Sequence, residues 1–316
     1  MTLTEGTKNL TKVKTRIENR LAGATTDIKG KIVEYLWYLK KQGYRKSTIT
    51  SKVNRLERLV RLGANLYEPE NVKQIISNDQ WKENYKAALV SAYQSFTEME
   101  QIAWKPPIYK PTQKLPFVPH ENEIDALIAG CGKKVATSLQ LLKETGMRIG
   151  EAWNLEWIDV DQENQTVTVT PEKHGTPRQF KVSKELIAML NQMPKKNNKV
   201  FGATSSIAHR HNFTTQRKRL AQKLQNPRLQ KISFHSLRHW KATMLYHQTQ
   251  DILYVKEKLG HRQLNSTLIY THLVQFKSKE YHVKTAKTLD EACELAKAGF
   301  SYFTKIEDVQ IFRKPK

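Results

Sequence analysis

The stretch SFHSLRHWKATML, Ser233 to Leu245, sets His235, Arg238 and His239 inside an otherwise apolar helical pattern. On a helical wheel these three share a stripe with Ala242, bordering the arc of Phe234, Leu237, Met244 and Leu245. That puts them at the rim of a buried face. Three chemistries fit such a stripe: a metal site, a packed or solvated cationic edge, or a pocket for an anion. Histidines four apart can ligate a metal, but the zinc-protease pattern needs Glu directly after the first, and Ser236 stands there. Two further fragments carry residues of the same kind. In ETGMRIGEAWNLEW, Arg148 follows the turn at Gly146 and Glu151 lies one helical turn on. In KLGHRQLNSTLIYTH, Gly260 ends a helix, His261 follows it, and Tyr270 comes nine residues later.

The elements that must position these residues are mostly helical. KIVEYLWYLKKQG places Ile32, Tyr35, Leu36 and Leu39 on one face, with Gly43 as a stop. STITSKVNRLERLVRLG follows, with Ser47 or Thr48 as the expected N-cap. A short helix over Val72–Ile76 and a longer one to about Met99 complete a small bundle. Five prolines between Lys105 and Pro119 then mark a semi-rigid linker. Beyond it, NEIDALIAGC and VATSLQLLKETG read as helices, and QTVTVT and RQFKV as strands joined by PEKHGTP, which carries Lys173. Helices return at Lys184–Met193, around Thr214–Leu224 and from Ser236 onward. TLDEACELAKAG has a capping-box start (Thr288, Glu291) and a glycine stop (Gly299). The last seventeen residues read as a hairpin turning at Glu307–Asp308.

Charge narrows the partner. The 316 residues hold 53 Lys and Arg against 30 Asp and Glu, a net of +23. Residues 1–110 carry 20 basic and 11 acidic side chains, and the remainder 33 and 19, so both halves are basic. Such a surplus favours an anionic polymer or a membrane surface as partner. Cys131 and Cys293 have no metal-like spacing and imply no disulfide framework. No apolar run reaches the roughly 20 residues of a membrane span, and the polar N-terminus lacks a signal-peptide core. A soluble, cytoplasmic protein with no membrane partner is expected.

In order and spacing, these fragments resemble the tyrosine recombinase family (phage integrase and Xer-like). Its pattern is an arginine in a TGxR-type turn with an acidic residue three on, a hairpin lysine, HxxR, GH, and a tyrosine about nine residues later. This chain supplies Arg148 with Glu151, Lys173, His235 and Arg238, Gly260 and His261, then Tyr270. The match runs from about Leu115 to Leu273, and GYRKSTITSKVNRL resembles the family's core-binding domain more loosely. The resemblance implies a mainly α fold with a small β-sheet in the catalytic domain, arranged as a two-domain C-shaped DNA clamp. The implied parts are a basic N-terminal arm (1–25), a helical core-binding domain (26–105), a Pro-rich linker (106–117), a catalytic domain (118–273) and a C-terminal extension (274–316). The arm, with Lys8, Lys12, Lys14, Arg16 and Arg20, offers no room for a full extra DNA-binding domain.

The implied reaction is site-specific DNA recombination without cofactor, metal or ATP. Tyr270 attacks the scissile phosphate, Arg148 and Arg238 hold its oxygens, His235 and His261 donate to them or move protons, and Lys173 protonates the leaving 5′-oxygen. Glu151 supports Arg148. Strands exchange through a Holliday junction in a homotetramer on paired sites of double-stranded DNA, from a chain that is monomeric off the DNA. Arg45, Lys46, Lys52 and Arg55 are the expected DNA contacts of the bundle. His239 is expected to be a non-catalytic neighbour and Trp240 a packing residue, while Tyr254 and Tyr281 fall outside the spacing. Type IB topoisomerase-like relaxation and a non-catalytic DNA-binding regulator are the alternatives.

Overall fold

Apolar spacing builds the first unit. In the computed structural model, which describes residues 20–21, 26–78, 80–111, 114–172, 175–202, 205–273, 281–306 and 308–315, the chain divides into two units, Met1–Lys114 and Leu115–Lys316. Helices α1 (Thr26–Lys41), α2 (Lys46–Arg61), α3 (Pro69–Ile76) and α4 (Glu83–Glu100) form the first. Ile32, Tyr35 and Leu39 of α1 meet Val53, Leu56 and Leu59 of α2 and Leu89, Tyr93 and Phe96 of α4 in its core. The tyrosines belong there because their hydroxyls are satisfied: Tyr35 donates to the Ala92 carbonyl at 2.8 Å and Tyr93 to that of Leu66 at 2.9 Å. Helix α2 starts one residue before the expected Ser47 cap, with extended Arg45 as N-cap and no side-chain cap bond. Of the expected N-terminal arm, Arg20 reaches α2, donating to Asn54 and pairing with Glu57 at 3.2 Å; Lys8, Lys12, Lys14 and Arg16 lie outside the described residues.

The second unit opens with α5 (Glu121–Gly130), α6 (Lys133–Thr145) and α7 (Ile149–Asn154). A three-stranded antiparallel sheet follows, β1 (Val160–Asp161), β2 (Thr166–Val169) and β3 (Arg178–Lys181), in that spatial order. Its register sets Val167 against Phe180 and Val169 against Arg178. Opposed residues share a face, so Arg178 enters the interior beside two valines. Helices α8 (Lys184–Asn191), α9 (Ser206–Lys223), α10 (Phe234–Thr249), α11 (Ile252–Leu259) and α12 (Asn265–Leu268) complete the core. Helix α9 begins eight residues before the expected Thr214, capped by Ser205. Its early turns, SIAHRHNF, lack an apolar period because a histidine fills the core position. His209 is 4% exposed and stacks against Trp153 and Phe234 at 4.4 and 5.2 Å between centroids.

The C-terminal stretch makes its own sheet, β4 (Tyr281–Ala286), β5 (Ser301–Ile306) and β6 (Val309–Pro315), in the order β4-β6-β5, with α13 (Leu289–Lys297). Thr288 caps α13 and Gly299 closes it at φ +80°. Ile306 pairs with Val309 at the expected turn; Glu307 itself lies outside the described residues. Strand β4, absent from the sequence expectations, pairs with β6 along its length. No helix among the described residues is long and apolar enough to cross a membrane.

Candidate active site

Two left-handed glycines place the cationic residues. Gly146 (φ +65°) ends α6 two residues before Arg148, and Gly260 (φ +64°) ends α11 directly before His261. Helix C-termini leave carbonyls without partners and carry the negative end of the helix dipole. Arg238, on α10, answers both: Nη1 donates to the Gly146 carbonyl and Nη2 to that of Leu259, each at 2.8 Å. One guanidinium thus ties together the turns that bear Arg148 and His261. Arg238 is 1% exposed, which corrects the expectation of a rim position. Burial, with Arg148 nearby, lowers its pKa to about 10, so it stays charged at neutral pH.

Arg148 is the N-cap of α7, and Glu151 holds it twice. Oε2 accepts from the Arg148 backbone N–H at 2.8 Å, and Oε1 from Nη1 at 2.9 Å. Glu151 Oε2 also accepts from Nη2 of Arg178 at 2.7 Å. The carboxylate is 3% exposed. Burial pushes its pKa up, but the Arg148 N–H and the two guanidiniums prevail and hold it below the ordinary carboxylate value. Arg178 is equally enclosed: a Cβ added at Gly260 would overlap its guanidinium, so the glycine before His261 also makes room for this side chain. Removing one partner of a buried ion pair costs about 3–5 kcal/mol. Arg178→Met is expected near the low end of that range, because Arg148 still serves Glu151; urea unfolding of the variant measures it.

Tyr270 follows α12 and is 2% exposed. Its hydroxyl lies 3.1 Å from Nδ1 of His239, whose ring meets that of His235 edge-on at 4.5 Å. Burial raises the pKa of Tyr270, while Arg238 and Arg148 draw it down. His261 Nδ1 lies 2.9 Å from Oγ1 of Thr267. Burial, then Arg238 and Arg148, pushes His261 down to about 3, and burial with His235 and Arg238 pushes His239 to about 4, from 6.5. These depressed values favour the neutral rings in the folded state. Their contribution to stability is therefore present above pH 6.5 and is lost as pH falls towards the folded values. His261→Asn is expected to flatten the acid limb of a urea-midpoint profile between pH 6.5 and 4.

A cleft of about 570 Å³ is lined by Arg148 and His235 together with Glu172, Arg210, Thr214 and Arg217. The last three recur along one side of α9. Of the six expected catalytic positions, Arg148 and Arg238 lie near enough to both His261 and Tyr270 to act on them electrostatically, and His235 meets His239, which meets Tyr270. Lys173 lies outside the described residues. In the first unit, Arg45 and Lys46 are exposed at the start of α2, and Arg55 donates to Ser51. Lys52 is half-buried, and its ammonium donates to the Ser91 carbonyl and to Ser95 Oγ at 2.9 Å, which turns it towards α4.

The sequence model of the family described as the phage integrase family matches residues 119–276, half of the chain. The chain belongs to that family. It is 28% identical over 163 residues to the ICEBs1 integrase of Bacillus subtilis, covering 43% of this chain and 44% of that one. It is 31% identical over 160 residues to tyrosine recombinase XerH of Campylobacter jejuni, covering 49% and 45%. The chain thus spans about half the length of these curated relatives. The fold matches that of a lambda integrase in a dimer bound to a core site, with a TM-score of 0.61 at 15% identity over 79% of this chain and 98% of that one.

Two side chains of this site, Arg178 and His239, make contacts that spacing in the sequence does not show. Arg178 was visible as an alternating strand position, but its partner Glu151 lies 27 residues away. His239, expected to be a non-catalytic neighbour of Arg238, stands against Tyr270. Periodicity assigns a residue to a face; it does not name what that face meets.

Proposed function

We propose that the chain is a site-specific DNA recombinase acting through Tyr270. The observation that carries this reading is that the Arg238 guanidinium joins the turns bearing Arg148 and His261 through the Gly146 and Leu259 carbonyls, while Tyr270 lies buried against His239, the next residue of the same helix. A phosphodiester entering there meets two planar forks of donors whose charge persists at neutral pH. Because both are fixed by Glu151 and by backbone carbonyls before substrate arrives, little reorganisation accompanies the developing charge. Tyr270 attacks phosphorus to leave a 3′-phosphotyrosyl link, and His261 and His235 donate to the phosphoryl oxygens. Lys173, between β2 and β3, supplies the proton for the 5′-oxygen. The phosphotyrosyl bond keeps the phosphodiester energy, so rejoining needs no ATP. The cleft edged by Arg210 and Arg217 continues the phosphate path, and the basic helical unit adds DNA contacts through Arg45 and Lys46. Four protomers on paired sites then exchange strands through a Holliday junction, in the cytoplasm with the nucleoid DNA.

The test is covalent trapping. The full chain is incubated with nicked duplexes of random sequence, without metal or ATP, and a denaturing gel is read for a protein–DNA adduct. An adduct supports the reading; tight, salt-sensitive binding with none favours a non-catalytic regulator. Relaxation of a supercoiled plasmid lacking the recovered site would instead point to topoisomerase-like action.

A further inference from the structure

A phenol becomes a useful nucleophile only as it gives up its proton, and Tyr270 holds its proton more tightly than a free tyrosine because it is buried. The group set to receive it is His239. Nδ1 stands 3.1 Å from the hydroxyl, with the two rings 5.8 Å apart and tilted by 54°. The imidazole is half-buried and neutral, and a neutral ring keeps one nitrogen as a lone-pair acceptor. The charged and titratable groups that face it are His235 and Arg238 of its own helix and Tyr270 from the segment after α12.

From this geometry we infer that His239 is a catalytic residue, accepting the phenolic proton of Tyr270 at Nδ1 as the phosphotyrosyl bond forms. The inference rests on the recombinase reading above. In the forward step the Tyr270 O–H bond breaks, its proton bonds to Nδ1, and the oxygen's electron pair forms the new bond to phosphorus. The bond from phosphorus to the 5′-oxygen breaks, its pair stays on that oxygen, and the general acid protonates it. On rejoining, the 5′-hydroxyl returns its proton to the general acid and its oxygen attacks phosphorus, the bond from phosphorus to the Tyr270 oxygen breaks, and Nδ1 returns its proton to the phenolate, so each cycle closes without a co-reactant. Free His239 is a weak base because it is buried, with His235 and Arg238 beside it. A phosphodiester held by Arg148 and Arg238 brings a negative charge that offsets them, which raises the proton affinity of His239 when substrate is in place. The proton acceptor is thus switched on by the DNA that needs it.

The test uses the full chain and the duplex recovered by trapping from the random nicked pool. His239→Asn sets an amide oxygen near the place of Nδ1, so the contact with Tyr270 persists while the capacity to take a proton is lost. The expected result is adduct formation slowed by about 100-fold, with DNA affinity within about twofold of the parent chain. A fluorinated tyrosine at position 270, with its lower phenol pKa, is expected to restore most of that loss. Unchanged adduct formation in His239→Asn overturns the inference. So does a loss that the fluorinated tyrosine leaves untouched, since that marks a packing role. Should His239→Asn not fold, the same comparison is read on His239→Gln. A parent chain that traps no duplex removes the recombinase reading itself; a parent chain that does, beside an unaffected variant, removes only the proton transfer.

Discussion

Tyr270→Phe is expected to abolish the covalent protein–DNA adduct while leaving DNA affinity within about twofold of the parent chain, because the deleted atom is the nucleophile and is not a phosphate contact. The hydroxyl is enclosed and meets His239. Its removal therefore leaves one imidazole nitrogen with a lost partner, a cost of about 1 kcal/mol in stability. That is too little to unfold the unit, so a missing adduct reports chemistry. Tyr254→Phe and Tyr281→Phe are the controls. Tyr254 is exposed on α11 and its ring lies 5.4 Å from the Lys258 ammonium. Tyr281 begins β4, in the C-terminal sheet. An adduct that persists in Tyr270→Phe and disappears in either control would reassign the nucleophile. Persistence in all three would point to another side chain altogether.

The spacing of Arg148, His235, Arg238, His261 and Tyr270 was legible because each sits at a local signal: a glycine turn, a helix start or a helix end. Local signals survive in one dimension. The helices of the first unit were legible for the same reason, since Ile49, Val53, Leu56 and Leu59 recur at helical spacing and are all buried. Contacts that bridge the chain were not. That Arg238 would cap α6 and α11 at once depends on how α10 crosses them. Strand β1 is two residues long and β4 finds its partner only in β6, so neither carries a self-contained pattern. The opening turns of α9 hid behind His209, a polar residue filling an apolar position by stacking and by a hydrogen-bond contact with Ser138 at 2.9 Å. In each instance the missing information was a tertiary partner that overrides local preference.

Arg238→Ala and Arg148→Ala separate two duties that the sequence pattern presents as one. Both are expected to cut adduct formation by about 100- to 1000-fold, the usual loss when a preorganised donor to a developing oxyanion is removed. Their effects on stability should part company. Arg148 is a quarter exposed, and its loss leaves Glu151 still paired with Arg178, so Arg148→Ala is expected to fold with close to parental stability. Arg238 is enclosed and answers two helix-end carbonyls. Its truncation leaves both without a partner and opens a cavity between α6, α10 and α11, a combined cost of several kcal/mol at about 1–3 kcal/mol for each unsatisfied buried group. Arg238→Lys is the discriminating variant. A lysine keeps the charge but has no planar fork, so it can satisfy one carbonyl well and not both. Urea unfolding should therefore rank the parent above Arg238→Lys and Arg238→Ala last, while both variants remain slow in trapping. A stable Arg238→Lys chain that forms adduct at the parental rate would mean that charge alone suffices, and that the joining of the Gly146 and Gly260 turns through one guanidinium does not govern catalysis.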